Sequence, residues 1–231
     1  METFGDAIRE ALTLLSHLDP AVMEILWRSL QVTLVALFIS AIFSVPVGGW
    51  LALIQFPGKR IVTALVYTGM GLPPVVVGLV VYLFLSRSGV FGSLGWLFTM
   101  QAMVVAQTII AAPLIVGITM SSVLAIDPSL RVQLQSLGAT RLQSTLALLY
   151  EARSGAITGL VAGFGSIISE VGAVMLVGGN IDGRTRVLTT AIVLETQRGN
   201  FSVALALGII LLTLSFVTNL VLVLIQGRKG L

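Results

Sequence analysis

Residues 127–153 read Asp-Pro-Ser-Leu-Arg-Val-Gln-Leu-Gln-Ser-Leu-Gly-Ala-Thr-Arg-Leu-Gln-Ser-Thr-Leu-Ala-Leu-Leu-Tyr-Glu-Ala-Arg, the one long polar interval between strongly apolar stretches of a 231-residue chain. Such an interval belongs outside a bilayer, where its polar side chains keep their water. Asp127 and Pro128 read as a helix start: a carboxylate to accept from free N–H groups, then a proline whose missing N–H is no loss at the first helical position. Gly138 interrupts the pattern. Over 139–150, Leu142, Thr145, Leu146 and Leu149 resume at three- and four-residue spacing, which predicts two short helices meeting at a glycine corner. On spacing alone, an ordinary amphipathic linker between two spans fits equally well.

The flanking composition sets the class. Hydrophobic residues make up 56% of the chain and charged residues 10%, with a mean hydropathy of +1.04, whereas soluble domains are about 25% charged. The reading is an all-α, polytopic membrane protein. The chain has no cysteine, which excludes disulfides and thiolate metal sites. A net charge of +3, spread over loops, argues against a nucleic-acid partner and needs nothing beyond the surface of the lipid bilayer. His17 has no companions for a metal site. Residues 1–28 mix Glu2, Asp6, Arg9, Glu10, Asp19, Glu24 and Arg28, unlike the basic opening of a cleavable signal. Phe4, Ile8, Leu12 and Leu15 predict an amphipathic helix over 3–16 lying on the membrane surface, and Asp19-Pro20 predicts a second helix leading to the first span.

Charge-free runs locate the spans, since about 20 apolar residues cross the hydrocarbon. They predict five, over 29–54, 61–85, 96–124, 155–179 and 201–225. The second is interrupted by Gly69-Met-Gly-Leu-Pro-Pro74, and two prolines free backbone carbonyls that protein or water must satisfy, so this break should face the interior of an assembly. Between the second and third spans, 88–95 reads as a glycine-rich turn, and Pro113 is expected to kink the third span. The fourth presents Gly155, Gly159, Gly163 and Gly165 for close helix packing and carries Glu170, the one ionisable residue deep in a span. Residues 180–200 form a polar loop with Asp182, Arg184, Arg186, Glu195 and Arg198 around an apolar piece, 187–194, too short to cross. With 127–153 inside, Lys59, Arg60, Arg131, Arg141, Arg153, Arg228 and Lys229 lie inside against Arg9, Arg28, Arg87, Arg184, Arg186 and Arg198 outside, a weak bias in the expected direction.

Ser136-Leu-Gly-Ala-Thr-Arg141, after a helix and before a span, resembles the core of the "EAA" loop of ABC-importer permeases, the cytoplasmic coupling helix that docks into a cleft of the ATPase subunit. The chain departs from that pattern where Val132, Gln133 and Leu134 replace Glu-Ala-Ala and where Tyr150-Glu151 replaces Leu-Pro. Gly71-Leu-Pro-Pro-Val-Val-Val-Gly78 followed by Leu85-Ser-Arg-Ser-Gly89 is similar to the broken helix of molybdate and tungstate permeases. Residues 169–196, from Ser-Glu-Val-Gly-Ala-Val to Leu-Glu-Thr, resemble the tungstate-specific branch most. The resemblance implies a type I ABC-importer permease in the prokaryotic inner membrane, one transmembrane domain over 1–231 with an amphipathic segment at 1–28 and a coupling segment at 127–153. It also implies a second copy of itself, an ATPase dimer carrying ATP and Mg, and an extracytoplasmic oxyanion-binding protein.

The residues agree with a motor on another chain, because no Gly-x-x-x-x-Gly-Lys-Ser/Thr is present and Gly58-Lys59 is followed by Arg60. Ser136, Leu137, Gly138, Ala139, Thr140 and Arg141 are expected to couple to the ATPase. Gly71, Leu72, Pro73 and Pro74 are expected to line the path, with Glu170 beside them. A carboxylate repels an oxyanion dianion, so Glu170 is expected to be protonated or held by donors, such as N–H groups of the broken second span, and to act as a structural latch. Arg184 and Arg186 are candidates to attract the anion or contact the binding protein, against a plain solvated loop. A passive channel or secondary carrier for a small anion stays open. An intramembrane enzyme does not fit, since the spans hold no His/Asp/Glu cluster, Ser/Lys pair or Cys/His pair and no catalytic residue is expected.

Overall fold

The computed structural model describes residues 19–227 together with Gly5, Ile8, Arg9, Leu12, Thr13, Ser16 and His17. Of the helix expected over 3–16, Phe4 and Leu15 lie outside the described residues, as do Arg228 and Lys229. Helix α1 is Pro20–Leu53, opened by the Asp19 carboxylate, which accepts from Ala21 N at 2.9 Å and Val22 N at 3.3 Å, with Pro20 at the first helical position. The helix expected to start at Asp19-Pro20 and lead to the first span does so and is continuous with it. At about 1.5 Å per residue this rod is roughly 50 Å long, well beyond the ~30 Å hydrocarbon layer. Glu24 and Arg28 pair with each other one turn apart, which lets the helix run on through its charged first turns.

The second expected span is two helices, α2 (Lys59–Met70) and α3 (Pro74–Leu85), bent by 101°. Neither is long enough to cross alone. Pro74 opens α3, and Pro73 N–H groups are missing where α2 would have continued. A short turn at Gly92–Leu94 leads to α4 (Met100–Leu124), which begins four residues later than expected and continues through Pro113. That proline ring is where α2 lands, since a Cβ on Gly69 would lie 2.8 Å from Pro113 Cβ.

Beyond α4 come α5 (Pro128–Ser136), α6 (Arg141–Glu151), α7 (Arg153–Ile168), α8 (Gly172–Gly178), α9 (Leu188–Arg198) and α10 (Phe201–Gly227). The fourth expected span is therefore also broken, with α7 and α8 bent by 61°. Helices α1, α4 and α10 are each long and apolar enough to cross a membrane, and counting each bent pair as one span gives five. The architecture is all-α over the described residues.

Helix α4 is the centre, with Ala102, Met103, Ala106, Ala111, Ile115 and Met120 fully enclosed. Small residues bring its neighbours close. Ser40 on α1 donates to the Thr108 carbonyl at 3.3 Å. Gly155, Gly159 and Gly163 of α7 face Ser122, Ile118 and Ile115 of α4, whereas Gly165, expected on the same face, meets open space. Four residues separate each of the first three, so they share one stripe, and Gly165 lies half a turn off it. Val77, Val81 and Leu85 of α3 join Ala173, Val174 and Val177 of α8 and Val32 of α1 in the cluster around Met103.

Candidate functional site

The two breaks face each other. A Cβ on Gly172, at the start of α8, would lie 2.5 Å from Val75 Cγ2, and one on Gly78 of α3 would lie 2.5 Å from the Ala173 α-carbon. Helix α8 thus lies against the first turns of α3, just past the double proline. Gly71, Leu72 and Pro73 at the turn are exposed and Pro74 is half-buried, so three of the four path residues expected at the turn stand free of the chain's own core, as does the neighbouring Val75.

Glu170 lies in the three-residue gap between α7 and α8, so it is not within a continuous span as expected. Its Oε1 accepts from Ala173 N at 3.0 Å and caps the start of α8. The donor is its own downstream helix rather than α3. The side chain thereby satisfies one of the N–H groups that a helix start leaves without a partner.

At the Gly138 corner every local signal is used. Asp127 accepts from Ser129 N at 2.8 Å and Pro128 opens α5. The Ser129 backbone N–H first, and its side chain second, hold the Asp127 carboxyl below its ordinary value of 3.8, against a smaller opposing effect of burial. Gly138 has φ +79°, Gly138 N donates to the Gln135 carbonyl at 3.0 Å, and Ala139 N donates to the Leu134 carbonyl at 3.0 Å. This pair of bonds is a Schellman ending, which needs a left-handed residue where glycine stands. Two residues on, Thr140 and Gln143 form a reciprocal capping box, with Gln143 Oε1 accepting from Thr140 N at 2.8 Å and Thr140 Oγ1 accepting from Gln143 N at 3.3 Å. Ser136 back-bonds to the Val132 carbonyl at 2.9 Å.

The apolar residues of α6 divide. Leu148 and Leu149 turn inward, the latter onto Gly49 of α1, while Leu142, Leu146 and Tyr150 are exposed at four-residue intervals. Leu137, at the corner, is 84% exposed. The chain itself leaves this apolar stripe uncovered.

The outer loop is ordered rather than loose. Thr185 Oγ1 donates to the Gly178 carbonyl at 2.6 Å and accepts from Ile181 N at 2.9 Å. Arg186 pairs with Asp182 at 2.8 Å and its side chain is only 13% exposed, while Arg184 is exposed. Asp19, Glu24, Asp182 and Glu195 join Arg28 and Arg186 around a cavity of about 250 Å³. Four carboxylates against two guanidinium groups make this a poor attractor of anions.

Residues 44–230 match the model of the binding-protein-dependent transport system inner membrane component. The chain belongs to that family. As a family member, this permease is 44% identical over 196 residues to a probable anion ABC transporter permease of Haloferax volcanii, covering 83% of this chain and 84% of that one. It is 38% identical over 226 residues to a tungstate uptake system permease of Peptoclostridium acidaminophilum, covering 98% and 99%. Among solved structures, a chain of a bacterial alginate ABC transporter in complex with an alginate-bound periplasmic protein shares the fold, with a TM-score of 0.76 at 20% identity over 94% of this chain and 81% of that one.

Three further residues left no signal in sequence: two hold the α7–α8 break and one holds the start of α9. Gln107, buried on α4, donates from Nε2 to the Ile167 carbonyl at 3.0 Å, and Thr189 of α9 donates to the Glu170 carbonyl at 2.8 Å. At the α7–α8 break the Ile167 carbonyl keeps a tightened bond from Glu170 N at 3.3 Å, and two distant side chains supply further donors to the carbonyls of the break. Ser29 of α1 accepts from Leu188 N at 2.7 Å and thereby caps α9. A glutamine sixty residues away in sequence carries no spacing that identifies its acceptor.

Proposed function

We propose that this permease is the membrane subunit of an ATP-driven importer for a tetrahedral oxyanion, tungstate ahead of molybdate. The observation that carries this reading is the 38% identity to a tungstate uptake permease over nearly the full length of both chains. The substrate path lies at the two-fold axis of a homodimer, because five spans do not enclose a polar channel by themselves. The exposed turn at Gly71, Leu72, Pro73 and Pro74 lines it, and Glu170 keeps α8 capped and seated against α3 as a latch instead of touching the dianion.

An ATPase dimer docks on the corner of Ser136, Leu137, Gly138, Ala139, Thr140 and Arg141, and it holds ATP and Mg. This chain supplies a rigid two-helix projection and leaves the hydrolysis to its partner. An extracytoplasmic oxyanion-binding protein delivers the anion at the opposite end. Purified permease, ATPase and binding protein reconstituted in liposomes are expected to accumulate tungstate only with ATP and Mg. Uptake that proceeds without ATP would assign a passive channel or carrier, and a lack of tungstate or molybdate uptake with ATP present would overturn the substrate assignment.

A further inference from the structure

A second cavity, of about 480 Å³, lies between the end of α1 and the two coupling helices, lined among others by Leu53, Gln55, Arg131, Gln135, Ser144 and Leu148. We infer that this cavity is a binding site for a tetrahedral oxyanion. Its placement on the inner side of the membrane rests on the proposed function; its chemistry does not.

The polar part of the lining supplies donors, beside apolar Leu53, Ile54 and Leu148. Arg131 is its one charged side chain and no carboxylate lines it among the described residues. Arg131 is exposed, and its Nη1 donates to the Leu53 carbonyl at 3.5 Å, at the long limit of a hydrogen bond, so most of its five-donor fork is not taken by that bond. Gln55 and Gln135 add side-chain amides at the rim. Ser144 is the second and independent observation. It is 6% exposed, and its hydroxyl is buried with no partner, although its N–H is used within α6, donating to the Thr140 carbonyl at 2.9 Å. A buried hydroxyl without a partner is costly, and an acceptor-only ligand with several oxygens satisfies Ser144 and Arg131 together.

Guanidinium and hydroxyl donors with no competing carboxylate are the chemistry that holds phosphate, molybdate or tungstate. The two sources of such a group are a free oxyanion on the inner side and the phosphate of an anionic lipid at the membrane boundary. Either one bridges Arg131 on α5 and Ser144 on α6 across the Gly138 corner.

Because the chain has no cysteine, Gln55→Cys places a single thiol in the cavity of the full-length protein. Its reaction rate with an anionic aqueous thiol reagent is measured in nanodiscs of zwitterionic lipid, with and without molybdate, and again in nanodiscs containing phosphatidylglycerol. Molybdate at about ten times its dissociation constant is expected to slow the reaction roughly tenfold, and Arg131→Gln in the same background is expected to remove the protection. Ser144→Ala is expected to weaken it, and Arg131→Lys to restore part of it. Protection by phosphatidylglycerol with none by molybdate assigns the lipid source. A single cysteine at Asp182, at the other end of the molecule, reports whether Arg131→Gln is still folded. Unchanged rates at Gln55→Cys with both molybdate and phosphatidylglycerol overturn the site. Transport plays no part in this readout, so a failed uptake assay and a failed protection assay remain distinguishable.

Discussion

Gly78 of α3 and Ala173 of α8 are packed so closely that a Cβ at position 78 would lie 2.5 Å from the Ala173 α-carbon and 3.2 Å from its carbonyl oxygen. Backbone, unlike the end of a flexible side chain, cannot move aside cheaply. Gly78→Ala is expected to cost on the order of 1 to 3 kcal/mol by overpacking. Thermal unfolding in detergent measures it. Gly71→Ala serves as the comparison, because Gly71 has φ −103° and its added Cβ would meet only the Thr68 carbonyl at 3.8 Å. Equal melting of the two variants would show that the breaks are not pressed together.

Glu170→Gln is expected to retain most transport, because a glutamine Oε1 still accepts from Ala173 N. Glu170→Ala removes the cap and is expected to lose transport, with a stability loss of about 1 kcal/mol. Uptake and melting of both variants are the measurements. Equal inactivity of the two would mean that charge itself is required, and the latch would then be the wrong role.

Gly138→Val is expected to abolish transport while the protein still inserts. A Cβ at φ +79° finds open space around it, so the penalty is conformational, roughly 1 to 2 kcal/mol, with β-branching adding to it. Gly138→Asn, which tolerates the left-handed conformation, is expected to keep much of the activity. Co-purification of the ATPase with each variant reads the docking separately from uptake, and normal uptake by Gly138→Val would remove the corner from the coupling role.

Replacing both Arg184 and Arg186 by Gln and measuring uptake at low and moderate salt tests steering. The expected split follows from their surroundings. Arg184→Gln is expected to lower uptake at low salt and much less at moderate salt, as a screened exposed charge does. Arg186→Gln is expected to loosen the outer loop by leaving Asp182 without its partner, at any salt. A salt dependence unchanged in the double variant would discard steering.

Single cysteines at Gly71, Leu72 and Val75 are expected to react with aqueous thiol reagents, and to do so differently with and without ATP in the assembled transporter. Val75 is 55% exposed in the isolated chain, so complete inertness in every state would place this turn against lipid or a partner's apolar surface.

What was legible in the sequence was what local chemistry decides. Asp127-Pro128 and Gly138 encode a start and a stop within a few residues of themselves, and the coupling corner has the predicted form. The proline pair likewise announced the first break, though its right-angle bend was not readable from residue types. The second break was hidden because no proline marks it: Ser169, Glu170 and Val171 leave the helix while Gln107 and Thr189, distant in sequence, donate to the carbonyls of the break. Asp19-Pro20 likewise marked the start of α1, while charge-free runs did not show that the helix pairs Arg28 with Glu24 and continues without a break into the apolar stretch. For the outer loop, sequence showed two arginines but not the carboxylates folded around one of them.

The unbroken length of α1 makes it a push rod. Near one end Ser29 holds the start of α9, and near the other Gly49 receives Leu149 of the coupling helix α6. A single helix thus joins the contact with α6 to the start of α9, without passing through either bend. The weak joint in that member is Pro46, which takes one N–H out of the helix only a turn away from Gly49. Any bend in this helix is expected there, which leaves the twenty-six residues before Pro46 as one uninterrupted rod.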